Sequence, residues 1–154
     1  MDRNRIKLYA FTAVPLGVGA VTAFLVRNGL SIYKSLNLPA LSPPIWLLPI
    51  IWTVLYILMG FGSYLAASSP SHRKGAALRL YGIQLLLNFL RILVFFNLKN
   101  YLLAFLILLF LWYSVVKMIS AFWTVNPDAA VLQVPYLLWI TFYGYLNLGI
   151  MFLN

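Results

Sequence analysis

The sequence contains no cysteine and very little acidic charge. Its 154 residues include only two carboxylate side chains, Asp2 and Asp128, and one histidine, His72. Without cysteine, disulfides, thiolate metal sites and cysteine nucleophiles are excluded. Both carboxylates lie outside the apolar segments or at their edges, so no pair is available for acid–base catalysis or proton relay. His72 lies in the basic segment SSPSHRKG, which predicts a solvated or headgroup-facing side chain. The sequence therefore predicts no metal site, no axial haem ligand and no Ser-His-Asp hydrolase.

Charged residues of either sign are scarce, and apolar residues dominate. The chain is 64% hydrophobic, 17% aromatic and 8% charged. A soluble domain of this size could not hide so much apolar surface from water. A bilayer removes that difficulty, and interfacial belts of Trp and Tyr account for the aromatic content. The composition predicts an integral membrane protein whose first partner is the lipid bilayer.

Five apolar stretches divide the chain, each close to the roughly 20 residues that a helix needs to span a membrane. They cover about residues 6–26, 44–67, 76–98, 101–122 and 129–153. The predicted fold class is therefore an all-α integral membrane protein, a bundle of five transmembrane helices in one domain over residues 1–154. The first connection, residues 27–43, is long and contains Pro39 and Pro43, which indicates a structured loop. It acts either as a lid or as a plain surface connector.

The basic residues are distributed unevenly between the two ends of the spans. The formal charge is +9. The end that holds the N-terminus carries Arg3, Arg5, Lys7, Arg73, Lys74, Arg79 and Lys117, and the other end carries Arg27, Lys34 and Lys99. This excess predicts a cytoplasmic N-terminus. No basic run is dense enough for a nucleic-acid partner. With no transit peptide visible, we expect a bacterial inner membrane.

The third span contains a stripe of polar residues. Tyr81, Gln84, Asn88, Arg91 and Phe95 recur at spacings of three and four, which places them on one helical face. Lipid cannot satisfy these polar groups, so the stripe is predicted to face the bundle interior. A charge at this depth costs at least about 2.5 kcal/mol on insertion scales. Arg91 is therefore either an anchor for a ligand carboxylate or a side chain that extends to the nearer interface.

Aromatic side chains recur on the second and fifth spans. Tyr136, Trp139 and Tyr143 share one face of the fifth span, and Trp52 and Tyr56 lie one turn apart on the second. Indoles inside the bundle form either ordinary core packing or a wall for a flat π-system. Trp46, near the start of the second span, is either part of that wall or an interfacial anchor.

Three segments resemble the TspO/MBR family, the translocator or peripheral-type benzodiazepine receptor proteins. They are SPPIWLLPIIWTVLYILMGFGSYL at residues 42–65, QLLLNFLRILVFF at residues 84–96 and PYLLWITFYGYLN at residues 135–147. They resemble the family's second helix and its patterns QLxLNxxWxxxFF and PYLxWxxFAxxLN. The three motifs occur in order along most of the chain and together are specific, although each alone would be weak.

The resemblance implies a five-helix bundle, usually a homodimer, with a ligand pocket under the first loop. Family ligands include protoporphyrin-type tetrapyrroles, and some bacterial members degrade protoporphyrin in light with two tryptophans that match Trp52 and Trp139. No cofactor is expected, since a porphyrin would be the ligand. The candidate ligand-binding residues are Pro43, Pro44, Trp46, Trp52, Tyr56, Gln84, Asn88, Arg91, Tyr136, Trp139, Phe142 and Tyr143.

Two of the positions that depart from the family pattern are among the candidate ligand-binding residues. Arg91 replaces an aromatic residue and Tyr143 replaces a small one, which is expected to reshape the pocket. Three functions are compatible with the sequence. The first is a receptor or sensor that binds tetrapyrroles or similar flat apolar ligands. The second is a light-dependent porphyrin-degrading enzyme that uses Trp52 and Trp139, and the third is a transporter of porphyrins or lipid-like molecules.

Overall fold

A computed structural model describes residues 2–154, with the side chains of Leu30 and Ile32 left out, and helices are the only regular secondary structure of the described chain. Its six helices are α1 (Arg3–Leu25), α2 (Leu30–Tyr33), α3 (Leu47–Ala67), α4 (Lys74–Phe96), α5 (Tyr101–Val125) and α6 (Pro127–Leu153). All except the short α2 are long and apolar enough to cross a membrane. The predicted integral membrane bundle of five spanning helices is thereby confirmed.

The five long helices form a closed ring. Extensive contacts join α1 to α3, α3 to α6, α6 to α5 and α5 to α4, and a smaller contact between α4 and α1 completes the circuit. Because successive long helices run in opposite directions, the bundle has two distinct ends. We call the end formed by residues 26–46, 97–100 and 154 the loop end. The basic end contains the N-terminus and the connections at residues 68–73 and 126.

Proline and asparagine set several helix boundaries. The second span begins at Leu47, three residues after the predicted start at Pro44, because residues 44–47 form a turn in which the Leu47 amide donates to the Pro44 carbonyl oxygen at 3.0 Å. The fourth span, predicted to end at residue 122, continues to Val125. It stops at Asn126, whose extended backbone is the conformation favoured before a proline. The Asn126 side chain then caps α6 by accepting from the Asp128 amide.

The long first connection folds against the loop end of the bundle. The Tyr33 hydroxyl donates to the Pro43 carbonyl oxygen at 3.1 Å, and the Tyr145 hydroxyl donates to the Ala40 carbonyl oxygen at 2.7 Å. Burial, with a smaller contribution from the nearby Tyr143 hydroxyl, raises the pKa of Tyr33 to about 12. Tyr33 therefore stays protonated and remains a donor in the physiological pH range. These contacts make residues 26–46 a structured cover over the helix ends.

Candidate ligand-binding site

A cavity of about 380 Å³ lies beneath this cover, between α1, α3 and the loop-end part of α4. This volume is within the range of small-molecule sites. Its wall is mostly apolar, and its lining residues are Leu16, Gly19, Ala20, Thr22, Ala23, Val26, Ile45, Leu48, Pro49, Trp52, Thr53, Tyr56, Ile92, Phe96 and Tyr143. The polar atoms of this wall are few, and the hydroxyls of Thr22 and Thr53 already donate to carbonyl oxygens of their own helices. The cavity therefore suits a predominantly apolar ligand.

Small residues on α1 create the space for the cavity. Gly19, Ala20 and Ala23 lie on the cavity wall opposite the aromatic residues of α3. Gly19 also lets α1 approach Tyr56, because a Cβ at position 19 would lie 2.7 Å from the Tyr56 ring. None of the candidate residues predicted from the sequence lies on α1. The only signal available was the run of small residues in this span, which also suits ordinary helix contact.

The deepest lining residues lie near the middle of the bundle. Leu16 and Tyr56 each lie about ten residues from the loop-end terminus of their own helix, which corresponds to about 15 Å along the helix. A hydrocarbon core is about 30 Å thick, so the cavity reaches about halfway across. It is therefore a blind cavity that does not cross the bundle.

Trp52 borders the cavity and stands at the centre of an aromatic cluster. Its ring centroid lies 5.6 Å from that of Tyr56, 6.2 Å from Tyr136, and 6.4 Å from both Trp139 and Tyr143. The two indoles meet edge to face, at an interplanar angle of 86°. They are thus in direct contact, and Trp139 lies behind Trp52 without lining the cavity. A flat ligand would contact Trp52 in this conformation but would not lie between the two indoles.

The predicted polar stripe of α4 faces the bundle interior. Gln84, Asn88 and Arg91 are completely buried. Asn88 donates from Nδ2 to the Tyr56 hydroxyl at 3.0 Å and accepts from Arg91 Nη2 at 3.1 Å. Gln84 Nε2 faces the Met59 sulfur at 3.9 Å. None of these three α4 residues lines the cavity, so the stripe forms a layer behind its wall.

Arg91 does not extend to either interface, because its side chain has no exposed surface. Its guanidinium carbon lies 4.5 Å from the centroid of the Tyr143 ring and 5.8 Å from that of Trp52. Cation–π attraction therefore stabilises the charge where a carboxylate would otherwise be expected. Asp2 and Asp128 are both exposed and lie at the basic end, far along the helices from Arg91.

The remaining predicted site residues are spread over the loop end and α6. Three of them belong to the cover itself. Pro43 is buried, whereas Pro44 and Trp46 are exposed, with Trp46 showing 66% of its surface. Phe142 is half-buried and packs against Trp139, with ring centroids 5.6 Å apart. Of the twelve predicted residues, the structure therefore brings Trp52, Tyr56 and Tyr143 to the cavity surface.

Comparison with known proteins agrees with this architecture. The TspO/MBR family model matches residues 11–153. The chain belongs to the TspO/MBR family. Tryptophan-rich protein TspO of Chlorobaculum tepidum is 32% identical over 100% of this chain and 99% of its own length. Tryptophan-rich sensory protein of Cereibacter sphaeroides is 38% identical over 90% of this chain and 85% of its own. The translocator protein of Ovis aries is 37% identical over 89% of this chain and 83% of its own.

Membership of the TspO/MBR family covers almost the whole bundle, including all the helices that surround the cavity. The matched range begins within α1 and ends at the last residue of α6. The family relationship therefore applies to the part of the chain that forms the cavity, the aromatic cluster and the cover. Tyr143 on the cavity wall and Arg91 behind it are two residues that the family motifs do not lead one to expect.

Proposed function

We propose that this TspO/MBR protein is a membrane receptor or sensor that binds a flat, predominantly apolar ligand, of the tetrapyrrole class, in the cavity beneath residues 26–46. The observation that carries the proposal is the blind, apolar cavity of about 380 Å³ with the Trp52 and Tyr56 rings on one wall. Aromatic faces attract flat π-systems, and the small residues of α1 leave room opposite them. Relatives whose names describe a sensory protein and a translocator protein are consistent with such a role.

The geometry favours binding over photo-oxidation. A light-dependent reaction at Trp52 would require removal of an electron from its indole. The guanidinium of Arg91, 5.8 Å from the Trp52 ring, makes that removal more costly because it places a positive charge next to the developing radical cation. The depth of the cavity favours a receptor over a transporter, since its lining residues lie in only one half of the bundle.

The location and assembly belong to the same proposal. We propose that the basic end lies in the cytoplasm of a bacterial cell, that the cover faces outward from the inner membrane, and that the protein forms a homodimer. The cation asymmetry between the two ends supports the orientation. The family resemblance supports the dimer.

Binding is tested by titrating purified protein with protoporphyrin in the dark and following tryptophan fluorescence. We expect saturable quenching that weakens about tenfold or more in an Ala23→Phe variant, because the added ring occupies the cavity that would bury most of the ligand. Ala10→Phe is the matched control: it adds the same ring to an exposed position of α1 that does not line the cavity. Equal affinity in Ala23→Phe and the parent would show that protoporphyrin does not bind in this cavity.

Illumination of the same complexes distinguishes the receptor from the enzyme. We expect the porphyrin absorption band to decay at the same rate in the parent and in the Trp52→Phe variant. Faster decay in the parent, lost when Trp52 and Trp139 are both replaced by Phe, would instead assign a photo-oxidative activity to the two indoles.

A further inference from the structure

Arg91 carries unused hydrogen-bonding capacity in the interior of the membrane. Its Nη2 donates to Asn88, whereas Nε and Nη1 have no hydrogen-bond partner among the described residues. The side chain is completely buried, so bulk water does not reach these donors. Buried donors of a charged group form strong hydrogen bonds with an anion, and guanidinium geometry matches a carboxylate in particular. The chain supplies no carboxylate at this depth, because Asp2 and Asp128 are exposed at the basic end.

Two aromatic rings separate this cation from the ligand cavity. Tyr143 and Trp52 both line the cavity, and the guanidinium lies 4.5 Å from the first ring centroid and 5.8 Å from the second. Arg91 itself does not contribute to the lining. A ligand in the cavity would therefore contact the outer faces of these rings, and its carboxylate would reach the guanidinium only after one ring moved.

Tyr143 is the ring with fewer aromatic neighbours. Besides each other, Trp52 packs against Tyr56, Tyr136 and Trp139, whereas Tyr143 packs against Phe95 and Trp139. The Tyr143 hydroxyl makes no hydrogen bond to another described residue. Ring packing and the cation–π contact with Arg91 therefore hold the Tyr143 ring over the guanidinium, without a hydrogen bond from its hydroxyl.

We propose that Arg91 is an anion subsite for a carboxylate-bearing flat ligand and that the Tyr143 ring is the gate between this subsite and the cavity. This inference rests on the proposed function and adds a rule for specificity. While the ring covers Arg91, the cavity binds acidic and neutral ligands of the same shape about equally. When the ring is displaced, the cavity prefers the acid.

Protoporphyrin IX and its dimethyl ester form the pair of probes, because they share one ring system and differ in the charge of the two propionates. The measured quantity is the ratio of the two dissociation constants, ester over acid, for each variant in the same nanodiscs, so that partition into lipid cancels between variants. We expect a ratio within about threefold of one in the parent. In Tyr143→Ala the ratio should rise about tenfold or more, as hydrogen bonds to a charged group become available.

Two further variants assign the effect to the ring and to the cation. Tyr143→Phe keeps the ring and removes the hydroxyl, so its ratio should equal that of the parent. Arg91→Gln, made in the Tyr143→Ala variant, should return the ratio to about one. If that double variant does not fold, Arg91→Lys replaces it and should keep part of the preference for the acid. Tyr113→Ala, at an exposed position of α5, is the control for loss of a tyrosine.

Three results would overturn the gate. The first is that Tyr143→Ala leaves the ratio unchanged. The second is that Tyr143→Ala raises the ratio but loss of Arg91 does not lower it again. The third is that the parent already prefers the acid and loses that preference in Arg91→Gln. If neither porphyrin binds the parent, the tetrapyrrole proposal fails. Pyrenebutyrate, a smaller flat acid, and its neutral counterpart pyrenebutanol then replace the porphyrins. The ratio of their dissociation constants, neutral ligand over acid, tests the gate in the same variants.

Discussion

At the scale of single residues, glycine determines how closely α1 and α3 approach. A Cβ at position 60 would lie 2.6 Å from the Cα of Thr12 and 3.1 Å from the carbonyl oxygen of Phe11. Both atoms belong to the backbone of α1, so neither can move without shifting the helix. Position 82 on α4 is different, because a Cβ there would meet no atom within 4 Å. The two glycines therefore form a matched pair.

We expect Gly60→Ala to destabilise the bundle by about 1–3 kcal/mol, because overpacking must push α1 away from α3. The midpoint of thermal unfolding in detergent should fall by about 3–10 °C. Gly82→Ala should leave the midpoint unchanged or raise it, since alanine is the better helix former. A midpoint for Gly60→Ala that matched the parent would mean that α1 and α3 are farther apart than described.

The buried polar residues of α4 show what helical spacing can predict about a single residue and what it cannot. The spacing of Gln84, Asn88 and Arg91 predicted that they share an inward face, and all three are completely buried. The pattern did not reveal that Tyr143 and Trp52 stand between Arg91 and the cavity, because that arrangement depends on side chains from two other helices. Helical periodicity defines a face but does not identify the residues opposite it.

At the scale of elements, the cover is held to α6 by a reciprocal pair of asparagines. The Asn154 side chain accepts from the Asn37 amide at 3.1 Å and donates to the Asn37 carbonyl oxygen at 3.0 Å. Pro39 adds a close contact, because it packs directly on Gly149 of α6. These contacts hold the cover over the end of α6.

Asn154→Ala should loosen the cover without unfolding the bundle. It removes both hydrogen bonds between the Asn154 side chain and Asn37, each contributing about 0.5–1.5 kcal/mol, so the cover should open more often. Limited trypsin digestion should then cut after Lys34, an exposed residue of the cover, at least about fivefold faster than in the parent. Thr124→Ala, which removes an exposed hydroxyl at the opposite end of the bundle, is the control. Identical digestion of Asn154→Ala and the parent would show that the asparagine pair does not hold the cover.

At the scale of the whole molecule, the two ends differ in charge. The basic end carries seven Lys and Arg side chains and the loop end carries three. Two of the seven, Lys7 and Lys74, converge on the Ala67 carbonyl oxygen at 3.4 Å and 3.3 Å, where α3 ends. Cations near a helix C-terminus interact favourably with its dipole. This end therefore combines local stabilisation with the charge excess on which the proposed orientation rests.

The orientation can be measured directly because the chain has no cysteine of its own. We expect a membrane-impermeant maleimide to label Ser31→Cys, in the cover, in right-side-out vesicles. Ser68→Cys, at the basic end, should be labelled only in inside-out vesicles. Both positions are exposed, so accessibility within the protein does not limit the reaction. The reverse pattern would place the cover on the cytoplasmic side of the membrane.

The sequence by itself determined the membrane environment, the five spans and the inward face of α4. Each of these follows from composition, from the length of apolar runs or from helical periodicity, which are properties of one segment at a time. Three motifs in order also predicted the family. Only the tertiary structure decided where the cavity lies, because its walls come from α1, α3, α4 and α6 together. It also decided that Trp52 faces the cavity while Trp139 stands behind it, since two indoles on different helices meet only when those helices pack.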